Sequence, residues 1–431
     1  MARSRGILAL VAMLLAALAA AGGTAARVEL GVRPAAGGVH VGVAPTAANL
    51  LRFDRSSLSG RLAAALAVPH VHRTTEGALA IDLETGDVVY SLNPNRALAP
   101  ASNEKLTVTY AALARLGPAY RFRTVVLGDG ERDGAVWHGN LYLQGHGDPT
   151  LRTLGLTRLA AQLKLAGLRR VTGSVLADES AFDTRRTGPG WKPSFYMDES
   201  PPLSALVANR AKYHGQTTPD PAGAAAALFT RLLKQRGIAV GGESAWGTAP
   251  ADAFPLAQIE SDPLVDVLRF MDRESDNFTA EMVLKALGAE VAGRGTTGAG
   301  AAVVVDALRE AGVPLAGVRI ADGSGLSRLD RLTPRAIAAI LTTAWGDDQL
   351  RDAFWRALPV AGRNGTLQDR LDRRPAYGAV HAKTGTTDVA SALSGYVRDR
   401  FVFAVMQNGH PISTWWARHA QDRFATALAA Q

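Results

Sequence analysis

Three short polar motifs, far apart in the chain, constrain its fold more than any other feature. They are Ser102-Asn103-Glu104-Lys105, Ser275-Asp276-Asn277 and Lys383-Thr384-Gly385-Thr386. The first lies where Pro100 precedes an apolar helical run of Leu106, Val108, Ala111, Ala112 and Leu113, which Gly117-Pro118 closes. Proline suits a helix start and glycine the position past its end. On such a helix Ser102 and Lys105 are three apart and share a face. Serine is a weak nucleophile until a base takes its proton, and a lysine kept neutral by burial or a neighbouring cation can be that base. Each motif alone has an ordinary explanation: a solvated first turn, a helix cap, a solvated strand residue. Taken together they ask the fold to bring Ser102 and Ser275, 173 positions apart (275 − 102), into one cleft.

Acyl transfer needs a nucleophile, a proton acceptor and donors for an oxyanion. Ser102 and Lys105 fill the first two roles, and the backbone N–H groups of Ser102 and Thr386 are candidates for the third. Ser275 can relay a proton to a leaving amine, and Asn277 can hold a substrate amide. Lys383, with Thr384 or Thr386 beside Gly385, can bind a carboxylate. A second lysine near Lys105 also disfavours the charged form of the first.

The N-terminus decides the compartment. Arg3 and Arg5 precede an apolar run, Gly6 to Ala21, followed by Thr24-Ala25-Ala26. This is the layout of a secretory signal peptide over residues 1–26, and the run is short for a membrane span; an uncleaved anchor is the alternative. Export to the periplasm or the cell-wall space follows. The formal charge of +8 is spread as arginine along the chain, with no basic block that would suit nucleic acid. There is no cysteine, hence no disulfide and no thiolate metal site. No histidine pair sits at ligand spacing beside a carboxylate, so neither metal nor cofactor is expected.

Along the chain, residues 27–72 are rich in Ala, Gly and Pro and read as a linker. A β-hairpin follows, Gly77 to Asp82 and Val88 to Ser91 around Glu84-Thr85-Gly86-Asp87. From Tyr120 to Ile259 short strands (124–127, 140–144, 171–177) alternate with two helices that stop at Gly167 and Gly237. Helical patterns resume from Leu264 to Ala311, and Thr333-Pro334 caps another helix. Strands over 390–397 and 401–408 and a helix holding Trp415, Trp416 and Phe424 end the chain. Asp322-Gly323-Ser324-Gly325 looks like a hydrolase elbow but lacks the glycine two residues before the serine. Gly145 to Thr150 lacks the third glycine of a dinucleotide loop.

With these residues in view, the chain resembles the low-molecular-mass class C penicillin-binding proteins, the D-alanyl-D-alanine carboxypeptidase/endopeptidase family. The trio of motifs is a known signature of penicillin-binding proteins and class A β-lactamases. The likeness extends through Gly147 to Leu151, Gly173 to Asp178, Pro189-Gly190-Trp191, Asp322 to Ser327 and Gly365-Thr366-Leu367. It implies an α/β penicilloyl-serine transferase (β-lactamase-like) fold, with residues 27–118 and 259–431 as the catalytic domain and 119–258 as an inserted one. It also implies a serine hydrolase of peptidoglycan peptides, acylated by β-lactams at Ser102. Lys105 is then the base, Ser275 and Asn277 the second motif, and Lys383, Thr384, Gly385 and Thr386 substrate-binding. Asp178, within the likeness, can pair with the ammonium of a diamino acid or simply cap a turn. The Ser102–Ser275 spacing is short for members with a third domain. Two alternatives stay open. A class A β-lactamase carries a deacylating Glu in Glu-x-x-x-Asn, and none occurs between Asn277 and Lys383. A non-catalytic cell-wall scaffold is the other.

Overall fold

The computed structural model describes residues 57–431; the expected signal segment lies outside them. The described chain opens with helix α1 (Leu58–Leu66), capped by the Ser57 hydroxyl, which accepts the Gly60 N–H at 3.1 Å. It falls inside the stretch expected to be a linker. The cap and the four-residue recurrence of Leu58, Leu62 and Leu66 are its cause.

Strands β1 (Glu76–Asp82) and β2 (Val88–Leu92) form the expected hairpin. A 3₁₀ turn (Ala101–Glu104) runs into α2 (Lys105–Leu116). Next come β3 (Arg123–Gly128), β4 (Glu131–Asp133), β5 (Val136–His138), β6 (Leu141–Gly145), α3 (Thr153–Leu165), β7 (Arg170–Val171) and β8 (Val175–Asp178). A minor hairpin of β9 (Lys212–Tyr213) and β10 (Gln216–Thr217) precedes α4 (Pro221–Gln235), β11 (Ala239–Val240), β12 (Ala245–Trp246) and β13 (Phe254–Glu260). Five helices follow: α5 (Leu264–Arg273), α6 (Asn277–Ala292), α7 (Thr297–Glu310), α8 (Pro334–Gly346) and α9 (Arg351–Ala357). The chain closes with β14 (Val380–Thr386), β15 (Ala390–Val397), β16 (Phe401–Asn408) and α10 (Thr414–Ala429).

The main sheet is antiparallel, ordered β14-β15-β16-β1-β2. Its central strands are apolar on both faces. On β16, Val402, Ala404 and Met406 join a core with α2, α5, α6, α7 and α8, while Phe401, Phe403 and Val405 face α1 and α10. That alternation is the period-2 geometry of a strand buried on both sides.

Residues 123–260 build two further sheets, β11-β7-β5-β4 and β12-β8-β6-β3-β13, on a separate apolar cluster that includes Val126, Leu143, Leu159 and Phe229. The strand expected over 171–177 is two strands in different sheets. Gly173 is the break, because a Cβ there would meet Asn140 Oδ1 at 2.4 Å and the Gly139 carbonyl oxygen at 2.5 Å. The stretch 203–208 threads between the cores. Leu203, Ala205 and Val207 face the catalytic side, while Leu206 and Ala208 face the other. Among the described residues no helix is long and apolar enough to cross a membrane.

Candidate active site

Ser102 lies in the 3₁₀ turn that starts α2, so its hydroxyl stands at the head of a buried helix. Two glycines let the cleft walls approach it. A Cβ on Gly385 would meet Ser102 N at 3.0 Å and Pro100 O at 2.9 Å. A Cβ on Gly325, at φ 81°, would meet Ala101 O at 1.9 Å. The glycine of the third motif is therefore required by close packing on the nucleophile's backbone. Asn103 ties the two together, its Nδ2 donating to the Lys383 carbonyl at 3.0 Å.

Lys105 is fully buried, and its Nζ reaches three oxygens: Ser102 Oγ at 3.0 Å, Asn277 Oδ1 at 2.9 Å and Ser324 O at 2.6 Å. Burial lowers its pKa to about 8, against the opposing pull of Asp322, Asp276, Asp272 and Glu281. The second lysine is depressed as well: Lys383 is lowered to about 7 by burial first and by Lys105 next. Lys383 Nζ donates to Ser275 Oγ at 2.9 Å and to Thr384 O at 3.0 Å. Ser275 adopts φ 57° in the turn between α5 and α6, and Asn277 is the first residue of α6. Asp272 is buried between the lysines, accepting Thr109 Oγ1 at 2.7 Å; burial raises it to about 6 although both lysines pull it down.

A cleft of about 310 Å³ is lined by Ser102, Ser275, Asn277 and Thr386, with Lys192 and Asp388 at its edge. All three motifs thus meet, as the sequence required. Their members differ in exposure. Thr386 faces the cleft, while Lys383, Thr384 and Gly385 are buried and do not line it. Strand alternation puts Thr384 on the same face of β14 as Thr386, but its hydroxyl is taken up by Thr366 Oγ1 at 2.7 Å. Lys383 touches the site through Ser275. Asp178 lies elsewhere, 1% exposed, accepting Gln144 Nε2 at 2.8 Å, Ser180 N at 2.9 Å and Ala249 N at 3.0 Å. Both its oxygens accept from the segment's own groups, the contacts of a turn-capping aspartate.

Sequence reasoning missed several contributors. Glu199 O accepts Asn277 Nδ2 at 3.2 Å, and Arg210 holds Asp276. Lys192 bridges to Asp388 at 2.7 Å. All three come from the 123–260 segment, at sequence separations no local pattern reveals. Asp322-Gly323-Ser324-Gly325 is no nucleophile elbow; its Ser324 carbonyl faces Lys105, and Asp322 Oδ2 accepts Trp191 Nε1 at 2.7 Å. Its presence in the family likeness was the available signal.

A family model described as "D-Ala-D-Ala carboxypeptidase 3 (S13) family" matches residues 58–223 and 212–431. The chain belongs to that family. It is a serine-type D-Ala-D-Ala carboxypeptidase, a hydrolase. It is 30% identical to a D-alanyl-D-alanine carboxypeptidase of an Actinomadura species, covering 90% of this chain and 87% of the relative. That alignment runs over 478 positions against the 431 residues of this chain, so the relative carries residues this chain lacks. Carboxypeptidase DacB of Mycolicibacterium smegmatis is 32% identical over 85% of this chain and 83% of its own length. In fold, the chain is similar to penicillin binding protein 4 of Haemophilus influenzae, with TM-score 0.75 and 23% identity over 88% of this chain and 98% of that one.

Proposed function

We propose that Ser102 is the residue acylated in this hydrolase and that Lys105 activates it. The Lys105–Ser102 contact of 3.0 Å carries the reading. A neutral amine has two N–H groups and one lone pair. Asn277 Oδ1 and Ser324 O can only accept, so they take the N–H groups and leave the lone pair to the Ser102 hydroxyl. Ser102 Oγ then attacks the carbonyl of a D-alanyl-D-alanine peptide bond. The Ser102 and Thr386 N–H groups receive the oxyanion, and Ser275, backed by Lys383, passes a proton to the leaving amine. Water releases the acyl group. Thr386 meets the substrate carboxylate, and Lys383 stands behind Ser275 as its hydrogen-bond partner.

The substrates are peptidoglycan stem peptides or their cross-links. A β-lactam, an amide beside a carboxylate, acylates the same serine. Supporting this, the Actinomadura relative is named a D-alanyl-D-alanine carboxypeptidase, and the Haemophilus protein has been solved with a β-lactam. Such substrates agree with export by residues 1–26 to the periplasm or cell-wall space. Residues 119–258 are read as an inserted domain, supported by their own sheets and apolar cluster.

Incubation with purified muropeptides followed by mass analysis tests the reading. Loss of a terminal D-alanine marks carboxypeptidase turnover, and conversion of dimers to monomers marks endopeptidase turnover. Peptide mapping after labelling with a tagged penicillin should find the label on Ser102. Label on another serine, or undiminished labelling of Ser102→Ala, sinks the assignment.

A further inference from the structure

The lone-pair argument makes the Ser324 carbonyl important, because it fixes one of the two N–H directions of Lys105. That carbonyl belongs to a turn outside the strands, held by three buried carboxyls: Asp330 Oδ1 accepts Ala321 N at 2.6 Å, Asp322 accepts Gly325 N and Ser327 N, each at 2.8 Å, and Glu281 reaches it from α6. Glu281 Oε1 accepts both Gly323 N and Ser324 N, each at 2.9 Å. The turn lies flat against α6, where a Cβ on Gly323 would meet Ala280 O at 2.7 Å. Glu281 stands four residues after Asn277, on the same face of α6. One helix therefore grips Lys105 twice, directly through Asn277 Oδ1 and indirectly through Glu281 and the Ser324 carbonyl.

We propose that Glu281 is a positioning residue for the base: its carboxyl holds the Gly323–Ser324 turn so that the Lys105 lone pair is aimed at Ser102. Glu281 touches neither the substrate nor the reacting atoms. It is fully buried, and burial followed by the field of Asp322 raises its pKa to about 8; what it gives the turn is an oxygen in the right place. Buried Glu104, Asp322 and Asp330 surround the same turn. The inference rests on the assignment of Lys105 as base.

Acylation by a chromogenic penicillin, followed from pH 5 to 10, separates the possibilities. Glu281→Gln keeps an amide oxygen at the position of Oε1, and its maximal rate is expected to match wild type. Glu281→Asp withdraws the oxygen by about one carbon–carbon bond, ~1.5 Å. It is expected to lower the maximal acylation rate about 10- to 100-fold, as a misplacement of that size does. Its ascending pH limb should also move to lower pH, since a carbonyl no longer held against Nζ stops favouring the ammonium. A merely structural residue would change the amount of folded protein without moving that limb. If Glu281→Asp does not fold, Gly323→Ala pushes the turn off α6 at the Ala280 carbonyl and is expected to give the same displaced limb and lowered maximum. Wild-type kinetics in the folded Glu281→Asp or Gly323→Ala variant, or a loss in Glu281→Gln as large as in Glu281→Asp, would overturn the proposal. Undiminished acylation by Lys105→Ala would instead remove the base assignment, whatever Glu281 does.

Discussion

Arg210 grips Asp276 with both terminal guanidinium nitrogens, Nη1 to Oδ1 at 2.9 Å and Nη2 to Oδ2 at 2.7 Å. The contact joins the 123–260 segment to the middle residue of Ser275-Asp276-Asn277. Arg210 sits among three consecutive left-handed residues, with Asn209 at φ 51°, Arg210 at φ 57° and Ala211 at φ 57°. Strain of that kind persists only where the surroundings enforce it, and it clusters at functional sites. Asp276 in turn caps α6, accepting Thr279 N at 2.8 Å. Burial pushes its carboxyl pKa up, and Arg210 with Thr279 more than reverses this.

Removing the guanidinium therefore frees the residue between Ser275 and Asn277. Arg210→Ala should lower stability by about 1–3 kcal/mol, the worth of hydrogen bonds to a charged group. It should also slow penicillin acylation about tenfold or more, because Asn277 loses its fixed approach to Lys105. Arg210→Lys should not restore the rate, since an ammonium cannot reproduce the bidentate fork. Wild-type acylation kinetics in Arg210→Ala would show that the second motif holds itself. The same contact means that excising residues 119–258 would strip the site of Arg210, Glu199 and Lys192, so point variants are the sharper test of what the segment contributes.

Lys105→Ala should reduce acylation about 10²–10⁴-fold, the usual cost of losing a general base. Lys105→Arg should be no better, because a guanidinium keeps its protons and offers no lone pair. Stopped-flow acylation with a labelled penicillin measures both, and an active Lys105→Arg enzyme would contradict a neutral-amine base.

The pH profile follows from the same group. Burial lowers Lys105 to about 8, and the neutral amine is the active form. Acylation should therefore rise with pH and level off near that value, falling about tenfold for each pH step of one below it. Lys383, lowered to about 7, titrates in the same window, so the apparent value belongs to the two lysines together. A rate that is flat from pH 5 to 9 would show that Lys105 is neutral throughout or is not the base.

What could be read from the sequence divides by distance along the chain. Ser102 and Lys105 share a helical turn, and Ser275 and Asn277 flank a helix start, so local spacing exposes them. The β1–β2 hairpin was legible from its turn residues, and β15 and β16 from their short apolar runs. Lys192, Glu199 and Arg210 were not, because they meet Asp388, Asn277 and Asp276 across 196, 78 and 66 positions. Glu281 looks in sequence like any polar residue on a helix, and only its burial against the Gly323 turn reveals a role. The linker expectation failed at α1, where Ser57 and the leucine stripe were present but sat in Ala-rich surroundings. Thr384 was read by its motif, and its hydroxyl bond to Thr366, 18 positions away, was not visible there.

Outside the site, Glu76 gives a separate test of how this fold treats buried carboxyls. It is fully buried on β1, where its Oε1 accepts Gln407 Nε2 at 2.6 Å across to β16. Burial raises its pKa from 4.5 to about 7, against the lowering effects of Gln407 and Arg73. A carboxyl raised in the folded state contributes stability that is fully present below its unfolded value and is lost as pH rises through the folded one. Wild type should therefore lose stability, relative to a group that cannot titrate, between about pH 4.5 and somewhat above pH 7. Glu76→Gln supplies that reference, since its amide oxygen still accepts from Gln407. The stability difference should move in favour of Glu76→Gln by on the order of 3 kcal/mol from pH 5 to pH 9, at about 1.36 kcal/mol for each tenfold change in proton affinity. Paired thermal melts of the two proteins across that range measure it. A difference that stays constant with pH would mean that Glu76 titrates in the folded protein as it does in water.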